Sequence, residues 1–231
     1  GISCGALQWN VGTGSLNPLI QKAKGYDGAN PKFQAIYDLA AKPTPDALAW
    51  VRQRWIDPKS VKRGLTSEAK ALWVEFLHTP GSIRAQQDLA QDILTSATNE
   101  IAKFLPFIPD ASTNLRVQTF FFDVHVQQGS LSKKLKDGRR KPDPLTGLAG
   151  ATPTRALDFA AAQGKTKTAD VWRAALGAGD PLTSVLLHYA YERALLARPE
   201  YQWDTLSRRG TIACRMGYVH GTKFDFTQVL P

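Results

Sequence analysis

From residue 16 onward, apolar side chains recur at the spacing of one helix face, in segments bounded by proline, glycine or a capping residue. The longest such segment runs over 82–105 and is closed by Pro106 and Pro109. Four shorter ones precede it. Residues 16–23 place Leu16, Leu19 and Ile20 on one face, with Ser15 positioned to cap them. Residues 31–41 start on a proline and space Phe33, Ile36, Tyr37, Leu39 and Ala40. Residues 45–55 end before Pro58, and 66–77 carry Ala69, Leu72, Trp73, Phe76 and Leu77. The segment 113–128 is the most aromatic and predicts a buried central helix through Val117, Phe120, Phe121 and Val124. Further helices are predicted over 153–163, 167–176, 181–196 and 203–216. Residues 128–152, rich in Gly, Lys and Pro, read as a long loop, and 217–231 as extended or turn-like. A chain with this pattern has one fold class open to it. It is mainly α, a helical bundle with a small extended or hairpin element at the front, where Ile2, Cys4 and Ala6 loosely alternate before Gly12-Thr13-Gly14-Ser15 breaks the run.

Length and composition set the outer bounds. The chain has 231 residues, 43% of them apolar and six of them Trp, enough to bury a core without metal or disulfide support. No shift in composition divides it, so a single domain over 1–231 is expected. No run of 18 apolar residues is present, so no membrane span is expected. The first residues do not read as a secretion signal, which leaves localisation open. Lys and Arg outnumber Asp and Glu by 29 to 20, and the resulting charge of +9 favours anionic partners. The densest basic stretch is 133–141, either a solvated loop or a patch that steers a polyanion. It is isolated, without the long stripe of cations and interleaved aromatics that a nucleic-acid interface needs, so nucleic acid is not the expected partner. Cys4 and Cys214 default to free buried thiols, with a disulfide open to them outside the cytoplasm. Four scattered His and the lack of CxxC or HExxH spacing predict no metal, and no cofactor motif occurs.

Three segments carry chemistry. The first is Gly1-Ile2-Ser3-Cys4-Gly5-Ala6-Leu7-Gln8-Trp9-Asn10-Val11-Gly12-Thr13-Gly14, which mixes glycines, an aromatic and uncharged hydrogen-bonding side chains. The second is Phe120-Phe121-Phe122-Asp123-Val124-His125-Val126-Gln127-Gln128-Gly129. The third pairs Tyr191-Glu192-Arg193-Ala194 with Thr205-Leu206-Ser207-Arg208, setting its two arginines fifteen residues apart. In this order they resemble the lysozyme-like glycoside hydrolases of the family 46 chitosanase type. The first is closer still to related cell-wall hydrolases of phage and secreted effectors, which carry G-I-S-x-G-x-x-Q-W-N.

The resemblance implies an α+β lysozyme-like fold and two-carboxylate glycoside hydrolysis. A Glu protonates the leaving oxygen while an Asp activates a water from the opposite face of the sugar. In the family both acids lie just upstream of the first motif, so here the Glu and the Asp are expected before Gly1, and 1–231 is expected to lack that N-terminal catalytic segment. Ser3 takes the position of a family Thr whose hydroxyl helps hold the attacking water; its plainer reading is a turn serine. Asp123, Arg193 and Arg208 take positions that form a charge network behind the catalytic acids, where an Arg–carboxylate pair fixes geometry and tunes the proton donor. A purely structural salt bridge is the alternative. Gln8 and Asn10 offer amides to sugar hydroxyls or N-acetyl groups, and Trp9 is either a stacking platform or a core residue. Glu75, Glu192 and Asp225 are acids by residue type only.

Charge narrows the substrate. Chitosan is a polycation that a +9 protein repels. Chitosanases also place an Asp after G-T-G, where this chain has Ser15, an uncharged candidate for substrate contact. Peptidoglycan, with its peptide carboxylates, fits better. The expectation is therefore a muramidase-like glycan-strand hydrolase, the C-terminal domain of an antibacterial effector delivered to the periplasm or secreted, with an immunity protein as a further partner. A non-catalytic wall-glycan binding module and a chitosanase are the alternatives.

Overall fold

The computed structural model describes residues 3–4, 7, 9–12, 14–59, 64–132 and 142–230, with Ser3 and Cys4 described by backbone alone. Among these residues ten α-helices and four short strands make the fold mainly α. In chain order they are β1 (Ser3–Cys4), β2 (Trp9–Asn10), α1 (Leu16–Asp27), α2 (Gln34–Ala40), α3 (Thr44–Arg54), α4 (Ser67–Leu77) and α5 (Pro80–Phe104). Then come α6 (Leu115–Gln128), α7 (Thr154–Ala162), α8 (Thr166–Gly177), α9 (Pro181–Leu195), α10 (Pro199–Ala213), β3 (Met216–Val219) and β4 (Thr222–Asp225). The basic stretch 133–141 lies outside the described residues.

Contacts divide the chain into two units, Gly1–Asp92 and Ile93–Pro231, and α5 runs through the division. In the first unit β1 and β2 form an antiparallel hairpin that pairs Ser3 with Asn10 and Cys4 with Trp9. The core gathers Trp9, Val11, Leu16, Leu19 and Ile20 with Phe33, Ile36, Trp55, Trp73 and Phe76. Edge-to-face contacts link Trp50 to Trp55, Trp55 to Trp73 and Trp73 to Phe76, the arrangement that ring quadrupoles favour. Helix α1 continues past residue 23 to Asp27, because Tyr26 hydrogen-bonds Asp88 and lies beneath the Arg84 guanidinium. It stops at Gly28, whose φ of 75° most residues avoid. The predicted helix over 31–41 opens instead as a 3-10 turn, Pro31–Phe33, with the Asn30 carboxamide oxygen accepting from the Lys32 amide.

The second unit packs around α6, whose Val117, Phe120, Phe121 and Val124 are fully buried, as its aromatic density predicts. Asn114 caps it, accepting from the Val117 amide. Helices α9 and α10 follow each other across residues 196–198, a link short enough to make them antiparallel neighbours. Buried Arg116 ties α6 to both: its guanidinium reaches Asp180 Oδ2 at 2.6 Å, Thr183 Oγ1 at 3.2 Å and the Ala213 carbonyl at 3.3 Å. Asp180 meanwhile caps α9 through the Leu182 amide. The tail predicted as extended forms the β3–β4 hairpin, Met216 opposite Asp225 and Val219 opposite Thr222. Cys214 is a free buried thiol, and burial pushes its pKa above the usual thiol range.

Glycine lets α10 approach α8. A Cβ on Gly210 would lie 2.3 Å from the Trp172 ring, and one on Gly217 only 2.3 Å from Thr211 Oγ1. Trp172 is fully buried, so it has no room to withdraw. Gly210→Ala should therefore destabilise the protein by about 1–3 kcal/mol or more in urea unfolding. Gly25→Ala in α1, whose Cβ meets nothing within 4 Å, should be neutral or stabilising by up to about 1 kcal/mol.

Candidate functional site

The second unit holds a chain of buried polar groups between α5, α6, α9 and α10. It begins at α6, where Asp123 borders the apolar face that Phe120 and Val124 bury. His125 and Gln128, three residues apart, stand one helical turn from each other. On α10 the adjacent Arg208 and Arg209 both reach Asp123. Arg208 Nη2 donates to Oδ1 at 2.6 Å and Arg209 Nε to Oδ2 at 3.0 Å, so each carboxylate oxygen has its own guanidinium. Arg209 also donates from Nη1 to Gln128 Oε1 at 2.7 Å. Arg193 of α9 arrives from the other direction. Its Nε donates to the same Gln128 oxygen at 2.9 Å and its Nη2 to the Gln128 backbone carbonyl at 3.2 Å. Gln128 is thus the neutral acceptor that joins two arginines.

Glu100 of α5 closes the other end. His125 Nε2 lies 2.9 Å from Glu100 Oε2, which also accepts from the Leu131 amide at 2.8 Å. The Ser132 amide donates to Oε1 at 2.8 Å. Burial alone would raise the Glu100 pKa. The hydrogen bonds from His125, Ser132 and Leu131 outweigh it and hold the carboxyl at about 2. Glu100 is therefore an anion at any physiological pH and unsuited to donate a proton.

The arginines show what their placement costs. Burial lowers Arg193 to about 10; the Arg209 charge acts in the same sense and Glu100 opposes both. Burial also lowers Arg209, against which Asp123 acts. Both remain cations at neutral pH, each 1% exposed or less. Arg208 is a third exposed and carries the network to the surface.

The structure brings the three charged residues named from sequence, Asp123, Arg193 and Arg208, into this one network. Sequence reasoning missed Arg209, Gln128, Glu100 and His125. The tandem Arg208-Arg209 and the His125–Gln128 spacing were the available signals, but neither says which residue faces inward. The other candidates belong to the first unit. Ser3 lies in β1 with its side chain outside the described residues, and Gln8 lies outside them altogether. Trp9 is 6% exposed and packs in the core, so of its two readings it fills the packing one. Asn10 Oδ1 accepts from the Gly12 amide at 2.6 Å and so builds its own turn. Ser15 holds the first position before α1 but does not cap it through its side chain, a correction to the sequence reading. Its hydroxyl accepts from the Asn10 amide at 2.9 Å, because the turn folds back on β2.

The remaining acids are already engaged. Glu75 meets Lys32 at 2.5 Å, Glu192 meets Arg155 at 2.9 Å, and Asp225, kept below its usual pKa by the Thr227 hydroxyl and amide, is exposed. No group of three His, Cys, Asp or Glu among the described residues could hold a metal ion. No helix among them is long and apolar enough to cross a membrane. Comparison with family models, curated proteins and solved structures returned no match to this chain.

The Glu100 anchor has a pH signature. Its carboxyl titrates near 2 when folded and near 4.5 when free, so its stabilisation is complete above about pH 4.5. It is lost as pH falls toward 2, up to about 3 kcal/mol in all. In urea unfolding, Glu100→Gln should be less stable than the parent at pH 6, and the gap should narrow steadily toward pH 2.5. A gap independent of pH would remove Glu100 from this role.

Proposed function

We propose that this chain belongs to a peptidoglycan glycan-strand hydrolase of lysozyme-like type. One observation carries the reading: Asp123, Arg193 and Arg208, selected by resemblance to that class, come from three different helices and meet in a single buried network. Packing alone gives little reason to bury two arginines. Replacing a buried ion pair by well-fitted apolar side chains is often neutral or stabilising. Buried charges with displaced pKa values gather where chemistry needs a fixed field.

In such a hydrolase the network supplies orientation and charge. Asp123, held by one guanidinium on each oxygen, cannot rotate, and its negative charge favours the protonated form of a neighbouring acid. Gln128 bridges Arg193 and Arg209 by accepting from both on one oxygen. The proton donor and the water-activating carboxylate are the Glu and the Asp that the resemblance implies. The charge of +9 favours an anionic wall over a cationic glycan. In this reading the substrate is peptidoglycan, the setting is the bacterial periplasm or wall, and an antibacterial effector's immunity protein is the natural inhibitor.

The test is digestion of purified peptidoglycan by the longest polypeptide that the gene encodes, with muropeptides resolved by mass. The parent should release disaccharide-peptides. Asp123→Asn should lower kcat by at least about tenfold. It should also shift the alkaline limb of the pH–rate profile to lower pH, because loss of a nearby negative charge lowers the donor's pKa. A purely structural Asp123 would leave that limb in place. Release of chitosan fragments without muropeptides would overturn the substrate, and no release from either polymer the hydrolase.

A further inference from the structure

The β3–β4 hairpin of the Ile93–Pro231 unit has an outer strand with an open edge. Among the described residues its sheet has two strands, and β3 is the one that packs on α8 and α10. Every residue of β4, Thr222 to Asp225, is exposed. The two-residue turn His220–Gly221 has φ of 50° and 83°, the positive pair that a type I′ hairpin requires. Such a turn makes the residues on either side of it, Val219 and Thr222, a hydrogen-bonded pair. Bonded and non-bonded pairs then alternate along the ladder. Thr222 and Phe224 turn their backbone groups toward β3, and the Phe226 amide continues that side by donating to the Arg215 carbonyl at 2.6 Å. Lys223 and Asp225 therefore point their amides and carbonyls the other way, along the open edge.

Two properties of this edge say what fits it. The first is apolar surface. Phe224 lies on the opposite face of the strand from Lys223 and Asp225. It packs on Phe226 with 5.9 Å between ring centres and still leaves 37% of its surface in water. Val229, whose amide returns to the Phe226 carbonyl, is exposed as well. The second property is charge order. An antiparallel strand bonds to this edge only where its own outward groups meet those of Lys223 and Asp225. For a second β4 that leaves three registers. Lys223 opposite Lys223, and Asp225 opposite Asp225, each set like charges face to face. In the third, Phe224 faces Phe224 across a two-fold axis, and each Lys223 faces the Asp225 of the other copy.

We propose that β4 pairs antiparallel with β4 of a second copy of this chain, in the register centred on Phe224. Each Lys223 exchanges amide-to-carbonyl hydrogen bonds with the opposite Asp225, in both directions. On one face the Lys–Asp pairs lie across the junction. On the other, Phe224 meets its own copy with Phe226 behind it. Asp225 keeps an oxygen for this pairing, because the Thr227 amide and hydroxyl both use Oδ1. The contact is small against the roughly 1,200–2,000 Å² of a stable interface, so the dimer is a weak one. The charge of +9 on each copy opposes association, but beyond about 8 Å physiological salt screens it. The inference stands independently of the hydrolase reading, since no residue of β4 belongs to the Asp123 network.

The experiment is sedimentation equilibrium of the intact chain at physiological salt, from about 10 μM to about 1 mM, with amide hydrogen exchange followed by NMR. The parent should show a reversible monomer–dimer equilibrium with Kd on the order of 100 μM. Exchange of the Lys223 and Asp225 amides should slow as concentration rises. Lys223→Glu and Asp225→Lys should each weaken self-association by at least about tenfold, because both cross-strand pairs become repulsive. Mixed in equal amounts, the two variants should associate about as tightly as the parent, since unlike charges then face each other at both pairs. If Asp225→Lys loosens the Thr227 turn, Lys223→Glu alone still decides, because that turn does not involve Lys223. A parent that stays monomeric to about 1 mM would overturn the pairing. So would undiminished dimerisation of Lys223→Glu, or protection that grows only at amides outside β4.

Discussion

The double clamp on Asp123 is the interaction on which the second unit's interior depends. An ionised carboxylate nearly removed from water is costly unless both oxygens are satisfied by charge-assisted donors, and Arg208 and Arg209 satisfy one each. That need reaches further than the pair. Arg209 is itself buried and needs a second acceptor, which it finds in Gln128; Gln128 then has a lone pair left for Arg193. Arg193 in turn lies in the field of Glu100, which three hydrogen-bond donors hold as an anion. Each group is tolerable only because the next is present, so α5, α6, α9 and α10 are locked in register by charge as well as by apolar packing.

The magnitudes decide how such a network is to be read. Exposed pairs such as Arg173 with Asp170, or Lys32 with Glu75, contribute a few tenths of a kcal/mol. The buried set is different in kind. Removing one partner strands the others, at about 3–5 kcal/mol, even though the whole set contributes little net stability over an apolar core. Specificity of arrangement is what remains as its purpose. Arg116 is the comparison within the same unit. It is as deeply buried as Arg193, but its partners are a cap residue, a hydroxyl and a helix-end carbonyl, which makes it a fastening between helix ends. Asp123 and its arginines join helix middles instead, with Arg208 extending to solvent.

Close approach is the second constraint. Gly210 and Gly217 admit the Trp172 ring between α8, α10 and β3 where any side chain would collide. That contact keeps β3 against α8 and α10, and β4 as the outer strand follows from it.

Helix existence and type were legible in the chain itself. Periodic apolar residues and the terminal signals at Pro31, Thr66, Pro106 and Pro181 are local, and local signals survive in sequence. Where the reading went astray, a distant partner had intervened. Tyr26 carried α1 past Gly25 through Asp88 and Arg84, and the Ser15 hydroxyl turned to β2 instead of capping. The same limit applies to the candidate site. Asp123, Arg193 and Arg208 could be picked out because their motifs resemble those of a known family. Arg209, Gln128 and Glu100 could not, because their inward orientation depends on how four helices rotate against one another. Sequence alone determined the helices, the basic charge and the inventory of acids and arginines, since these are properties of residues and their near neighbours. Tertiary structure decided which charges lost their water and which donors had to meet them, because desolvation arises only when separate segments pack together.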